Sequence, residues 1–124
     1  MNVVDSSAWL EYLAAGPNAR YFADAIENTA ELIVPAVSLN EVFKRVVQQR
    51  SENEALQVVA VMQQGTISEM DATVALSAAR ISLEHLPMAD SIMLATARLN
   101  GATLWTQDSH FEGMRDVKYK KSAS

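Results

Sequence analysis

The sequence predicts an α/β domain: a central, mostly parallel sheet with helices packed on both faces. Three observations lead there. Short apolar runs rich in β-branched residues alternate with longer segments of helical periodicity. That alternation demands crossover connections, and hence parallel strands. Two of the runs lead into an acid, Val3-Val4 into Asp5 and Leu104-Trp105 towards Asp108. In a parallel α/β sheet that end of each strand lies on the edge where ligands bind. The length of 124 residues suits one domain, so residues 1–124 are expected to form a single folded unit.

The elements follow in order. Residues 1–7 begin with a strand that delivers Asp5, followed by the hydroxyls of Ser6 and Ser7. A helix over 8–14 is broken by Gly16-Pro17. A second helix over 18–31 places Tyr21, Phe22, Ala25 and Ile26 on one apolar face. Residues 32–34, closed by Pro35, form strand two. A helix over 37–50 turns Val42, Phe43, Val46 and Val47 inward. The next, 54–64, is apolar nearly all round at Val58 to Met62. It is therefore either an internal helix or a subunit interface, which supports an expected homodimer. Strand three covers 66–70, and Asp71 caps a helix over 71–83. Residues 87–100 give the clearest helix, with Pro87 in its first turn. Met88, Ile92, Ala95 and Leu99 form its apolar stripe, and Asn100-Gly101 ends it. Strand four covers 102–105, a helical turn lies near 110–114, and a last strand covers 117–119.

Composition excludes several function classes. The absence of cysteine removes disulfides and thiolate metal sites, and fits a reducing compartment. No basic stretch followed by an apolar one opens the chain, and no apolar run approaches the ~20 residues of a membrane helix. The expected location is the cytoplasm, with no membrane partner. A net charge of −5 argues against broad non-specific binding to nucleic acid, though a divalent cation or a local basic strip can offset it. Lys118-Tyr119-Lys120-Lys121 is such a strip; a solubilising tail is the preferred reading of it. No glycine-rich phosphate loop, nucleophile elbow or Cys/His site is present.

The chemistry rests on Asp5, Glu41, Asp90 and Asp108. Each has an ordinary structural role. Asp5 and Asp108 can cap the helices that follow them, Ser38 and Glu41 have capping-box spacing, and Asp90 favours a helix dipole. All four nevertheless fall at helix starts, which a parallel α/β domain gathers on one edge. Carboxylates gathered there repel one another unless a cation sits among them. Lys44 and Arg45 stand one turn beyond Glu41, but Asp5, Asp90 and Asp108 have no basic residue one turn away on the same face. An oxygen-rich, sulfur-free set suits Mg²⁺ or Mn²⁺. Ser6, Ser7 and Thr106 adjoin these acids. They either orient a carboxylate or satisfy turn backbone. His110 is read as a partly packed helix residue, with a general acid or phosphate contact as the other reading. Trp9, Trp105, Phe43 and Phe111 are read as core, and His85 as surface.

At these residues the sequence resembles the PIN-domain family, and within it the VapC-type toxin ribonucleases. The matching pieces are Val3-Val-Asp5-Ser-Ser-Ala-Trp9, Pro35-Ala-Val-Ser38-Leu-Asn-Glu41-Val-Phe43, Leu86-Pro-Met-Ala-Asp90-Ser-Ile-Met-Leu-Ala-Thr-Ala97 and Leu104-Trp-Thr106-Gln-Asp108-Ser-His-Phe111. The resemblance implies a three-layer α/β/α fold and a Mg²⁺- or Mn²⁺-dependent endoribonuclease. It also implies a cognate VapB-type antitoxin that holds the enzyme inactive. The family's acids fall on Asp5, Glu41, Asp90 and Asp108, and its hydroxyl beside the last acid falls on Thr106. Two other readings stand beside this one. One is a PIN nuclease of RNA processing without an antitoxin. The other is a non-catalytic module that binds a partner through residues 54–64, its acids serving only as caps.

Overall fold

The structure, a computed structural model, describes residues 1–123. Five strands form one sheet in the order β3-β2-β1-β4-β5. They are β1 (Asn2–Val4), β2 (Leu32–Pro35), β3 (Thr66–Ser68), β4 (Thr103–Thr106) and β5 (Val117–Tyr119), and every pairing is parallel. The order has a physical consequence. From β1 the chain builds outward through β2 and β3, then crosses back to lay β4 and β5 on the other side of β1. The point where the winding reverses therefore lies between β1 and β4, where a doubly wound sheet opens a crevice beyond its carboxyl ends. Asp5 directly follows β1 there, and its backbone N–H donates to the Trp105 carbonyl at 3.1 Å.

Side chains alternate across the strands and divide the core into two layers. Val4, Leu32 and Val34 face one side, packed with Trp9, Phe22, Ile26, Val42 and Met62. That layer draws on α1 (Ser6–Leu13), α2 (Ala19–Glu27), α3 (Ala36–Gln49) and α4 (Glu52–Met62). Val3, Ile33 and Leu104 face the other side, against Met93, Leu94 and Ala97 of α6 (Met88–Leu99) and Phe111. Behind α6 lies α5 (Ala72–Ser82), through Val74 and Ala78 against Ile92 and Ala95. The expected α/β/α class is the observed one.

Several expectations are corrected at finer scale. The helix expected over 18–31 stops at Glu27, and a 3-10 turn (Thr29–Glu31) follows. Asn28 at the break has ψ 73°, outside the helical region, and both Asn28 and Thr29 are weak helix formers. α4 begins at Glu52 because Ser51 caps it, accepting from the Glu54 N–H at 3.1 Å. The helix buried on every side is α6, not α4: Ser91 to Ala97 are all buried, while Leu56 and Val61 of α4 are exposed. Met88 and Leu99, assigned to the buried stripe of α6, are exposed at its ends, and Val47 of α3 and Tyr21 of α2 lie at the boundary. Asn100-Gly101 does end α6. Gly101 has φ +59°, its N–H donates to the Arg98 carbonyl, and the Ala102 N–H donates to the Ala97 carbonyl at 2.8 Å. This is the Schellman pattern, in which a left-handed residue closes the last carbonyls.

Candidate metal centre

Each acid reaches the crevice by local rules. β1 ends at Val4, and Asp5 caps α1: its Oδ1 accepts the Ala8 N–H at 3.0 Å and the Ser7 hydroxyl at 2.7 Å. Its Oδ2 accepts the Thr106 hydroxyl from the end of β4. Thr106 Oγ1 in turn accepts the Asp108 N–H at 2.9 Å. Asp108 caps the 3-10 turn Ser109–Phe111, accepting the His110 N–H at 2.9 Å. Thr106, fully buried, thus ties the strand-one acid to the strand-four acid.

Glu41 does not return to a helix cap. The capping box expected with Ser38 is absent because α3 starts at Ala36 with Pro35 as its cap residue, which puts Ser38 inside the first turn. There the Ser38 hydroxyl donates to the Pro35 carbonyl at 2.6 Å. Glu41, one turn further on, instead accepts the Ser6 hydroxyl at 2.6 Å. Asp90 lies in the first turn of α6, as expected.

His110 is the residue that sequence reasoning misplaced. It is exposed rather than packed, and its Nδ1 lies 3.0 Å from Asp90 Oδ2 and 3.2 Å from Asp108 Oδ1. The imidazole therefore sits between the two carboxylates. The only sequence signal was its spacing of two from Asp108; Asp90 is 20 residues away and becomes a neighbour only through the fold.

The electrostatics show how strongly the acids feel burial and one another. Burial pushes the Asp5 carboxyl up to about 6, against three hydrogen bonds that favour its charge, and Asp108 adds repulsion. Asp90 is raised by burial, then by the Asp108 charge, with His110 opposing and Glu41 adding to the rise. His110 is raised first by its bond to Asp90 and then by the Asp108 charge. Asp5, only 4% exposed, accepts no bond from a Lys, Arg or His among the described residues.

The donor set fits a hard divalent cation. Carboxylate oxygens predominate, with one imidazole and no sulfur. One atom each from Asp90, Asp108 and His110 lie within 4.8 Å of one another. Ligands on opposite sides of one Mg²⁺ ion would be about 4.2 Å apart, so little closing is required. Ser6 and Thr106 hold Glu41 and Asp5 as outer partners hold metal-ligating carboxylates.

The remaining candidates fall elsewhere. Trp9 and Phe111 are buried core, and Trp105 and Phe43 are partly buried. The basic strip lies along the sheet edge, with Lys118 Nζ 4.7 Å from the Trp105 ring centroid and Lys120 Nζ 5.6 Å from that of Tyr21. Asp71 caps α5 through the Val74 N–H, and His85 is exposed. Among the described residues, no helix is long and apolar enough to cross a membrane.

Comparison with known proteins places this geometry. The chain resembles in structure a toxin–antitoxin complex from Klebsiella pneumoniae, at 18% identity and TM-score 0.83, over 98% of this chain and 100% of that one. A sarcin–ricin-loop-cleaving VapC toxin from Mycobacterium tuberculosis aligns at 15% identity and TM-score 0.72, over 94% and 98%. A DNA-bound VapBC from Salmonella typhimurium aligns at 15% identity and TM-score 0.74, over 97% and 96%. At these identities the likeness is one of fold. No curated protein sequence matches the chain significantly. The PIN domain family model matches residues 3–117. With nearly its whole length inside that match, and a five-stranded parallel sheet gathering acids at its switch point, the chain belongs to the PIN domain family.

Proposed function

We propose that this chain is the toxin of a toxin–antitoxin pair, and that it acts as a divalent-metal-dependent endoribonuclease. One observation carries the reading. Asp5, Asp90, Asp108 and Glu41 influence one another's charge at the switch point of the sheet, and the basic group their carboxylates engage there is the single exposed imidazole of His110. Membership of the PIN family supports nuclease chemistry. Structural likeness to toxin–antitoxin complexes and to a toxin that cleaves the sarcin–ricin loop supports the toxin context and an RNA substrate.

In this reading Asp5 and Asp90 are the central ligands of Mg²⁺ or Mn²⁺, completed by Glu41 and Asp108. When bound there, such an ion would supply a water of lowered pKa and offset charge on the scissile phosphate. The residues do the positioning. Thr106 and Ser7 fix both oxygens of Asp5, and Ser6 fixes Glu41. His110, half-exposed beside Asp90 and Asp108, lies where a cation shared by those two carboxylates would be held. Hydrolysis of this kind leaves 5′-phosphate and 3′-hydroxyl ends.

A VapB-type antitoxin would silence the enzyme by laying a segment over the acidic edge and offering it an Arg or Lys. A homodimer remains the expected assembly, since α4 leaves Leu56 and Val61 exposed. The location is cytoplasmic in this reading. The test is growth after induction of wild type beside Asp90→Asn, with the RNA ends sequenced. Arrest by the wild type alone, with 5′-phosphate products, is expected. Cleavage that persists in excess EDTA, or that leaves 2′,3′-cyclic phosphates, refutes metal-dependent hydrolysis. Cleavage in vitro without growth arrest would assign the chain to RNA processing without an antitoxin.

A further inference from the structure

The acidic rim leaves open how a chain of charge −5 grips a polyanion. Half of its ten Lys and Arg are engaged elsewhere. Arg50 pairs with Glu54, Arg98 and Arg115 with Asp116, and Lys118 and Lys120 lie over aromatic rings. Of the other five, Lys44 and Arg45 follow Glu41 on α3. Sequence spacing allows them to pair with Glu41, yet among the described residues neither forms an ion pair, and Glu41 turns to Ser6 instead. Both are exposed, and both line a cleft of about 320 Å³ between α1 and α3.

The walls of that cleft divide by chemistry. Ser6, Ser7 and Glu41 form the end that adjoins the acids, Leu10 gives an apolar surface, and Lys44 and Arg45 form the cationic end. Residues three and four apart on a helix are neighbours at about 5–6 Å, so the cations stand one turn of α3 beyond Glu41. The volume is near the lower bound of roughly 300–1,000 Å³ for small-ligand pockets. That suits one nucleotide unit of a single strand and not a duplex. Arginine offers a planar fork and lysine a point charge, both suited to phosphate oxygens.

We propose that the cleft between α1 and α3 holds the RNA phosphate adjacent to the scissile one, bound by Lys44 and Arg45. The strand then passes from the acidic end, where a cation neutralises the reacting phosphate, to a cationic end that fixes the next one. Lys44 and Arg45 are thus positioning residues. This inference rests on the nuclease reading above.

The experiment compares wild type, Lys44→Gln/Arg45→Gln, and a charge-matched control, Arg20→Gln/Arg80→Gln, whose side chains are exposed on α2 and α5. Cleavage of single-stranded RNA in Mn²⁺ is measured beside hydrolysis of bis-p-nitrophenyl phosphate, which has no second phosphate. Binding of a fluorescein-labelled mixed-sequence RNA is measured in an Asp90→Asn background. The double variant should raise KM for RNA, keep kcat, and hydrolyse the small diester as the wild type does. Losing the grip on that one phosphate flattens the salt dependence by about 0.7 in log–log slope, so between 50 and 200 mM salt wild-type affinity should fall roughly 2.6-fold more than the variant's. Equal KM and equal salt slope in wild type and double variant overturn this inference, as does an equal effect in the control or a parallel loss on the small diester. A wild type that hydrolyses neither substrate overturns the nuclease reading and this inference with it.

Discussion

Asp5→Asn separates a metal ligand from a helix cap. Burial holds the Asp5 carboxyl near 6 in the metal-free fold, against an ordinary value of 3.8. The folded state therefore binds more protons than the unfolded state between those values, and stability falls as pH rises through the window from about 4 to 6. The full shift of about two pH units corresponds to roughly 3 kcal/mol lost by neutral pH. Asparagine keeps the cap. Its carbonyl oxygen still accepts from the Ala8 N–H and the Ser7 hydroxyl, and it is as good a cap residue as aspartate. What it loses is the Thr106 hydroxyl bond, since an amide NH₂ replaces Oδ2; that costs about 1 kcal/mol. At pH 7.5 in EDTA the variant should therefore be more stable by about 2 kcal/mol, or about 8 °C in Tm for a chain of this length. Near pH 4.5 the remaining charge penalty is about 1 kcal/mol and cancels the lost bond, so the two proteins should melt together. Saturating Mn²⁺ at pH 7.5 should reverse the order, because at 100 times its Kd a ligand adds about 2.7 kcal/mol to the protein that binds it. Thermal unfolding at both pH values, with and without Mn²⁺, reads all three outcomes. If the metal-free variant melts below the wild type at pH 7.5, or the difference is independent of pH, burial does not raise the Asp5 carboxyl; if Mn²⁺ stabilises both proteins equally, Asp5 is a cap and nothing more.

Three further perturbations test the supports of the site. Thr106→Val keeps shape and burial but leaves the Asp108 N–H and one Asp5 oxygen without their partner; we expect a loss of about 1–3 kcal/mol and of cleavage, both restored by Thr106→Ser, as read by melting and RNA turnover. His110→Ala removes the cation between Asp90 and Asp108. Because the His110 pKa is raised by those carboxylates, its contribution to the metal-free protein is present below 6.5 and is lost as pH rises through the raised value. The variant should thus melt lower than wild type at pH 6 and equal to it well above the raised value. Gly101→Ala meets nothing within 4 Å but must hold φ +59°, so it should cost about 1–2 kcal/mol, roughly 4–8 °C, without touching activity.

The contrast between what the sequence exposed and what it hid has a physical source. Asp5 and Asp108 were legible because a short buried strand must stop, and the polar residue at its end marks the place. Glu41 was legible as a candidate but not in its partner. The spacing S-x-x-E is a cap only when the serine precedes the helix, and Pro35, by fixing its own φ, set the start of α3 three residues earlier. The apolar stripe read for α6 leaves out Ser91 and Thr96, yet both are internal. Both are buried because each hydroxyl returns to its own helix region, Ser91 to the Pro87 carbonyl at 2.9 Å and Thr96 to the Ile92 carbonyl at 2.8 Å. Of the two readings of α4, internal helix or subunit interface, the structure removes the first: α4 packs through Ala55 and Met62 and leaves Leu56 and Val61 to solvent. His110 shows where one-dimensional reasoning stops. Charge compensation was sought within one helical turn of each acid, whereas the imidazole reaches Asp90 across 20 residues. The search for a cation was physically sound, and its radius was wrong. Contacts set by the sheet's order, not by helical periodicity, decide which charges meet at the switch point. For the same reason Lys44 and Arg45, whose spacing allows a pair with Glu41, form no ion pair with it, and Glu41 turns to Ser6.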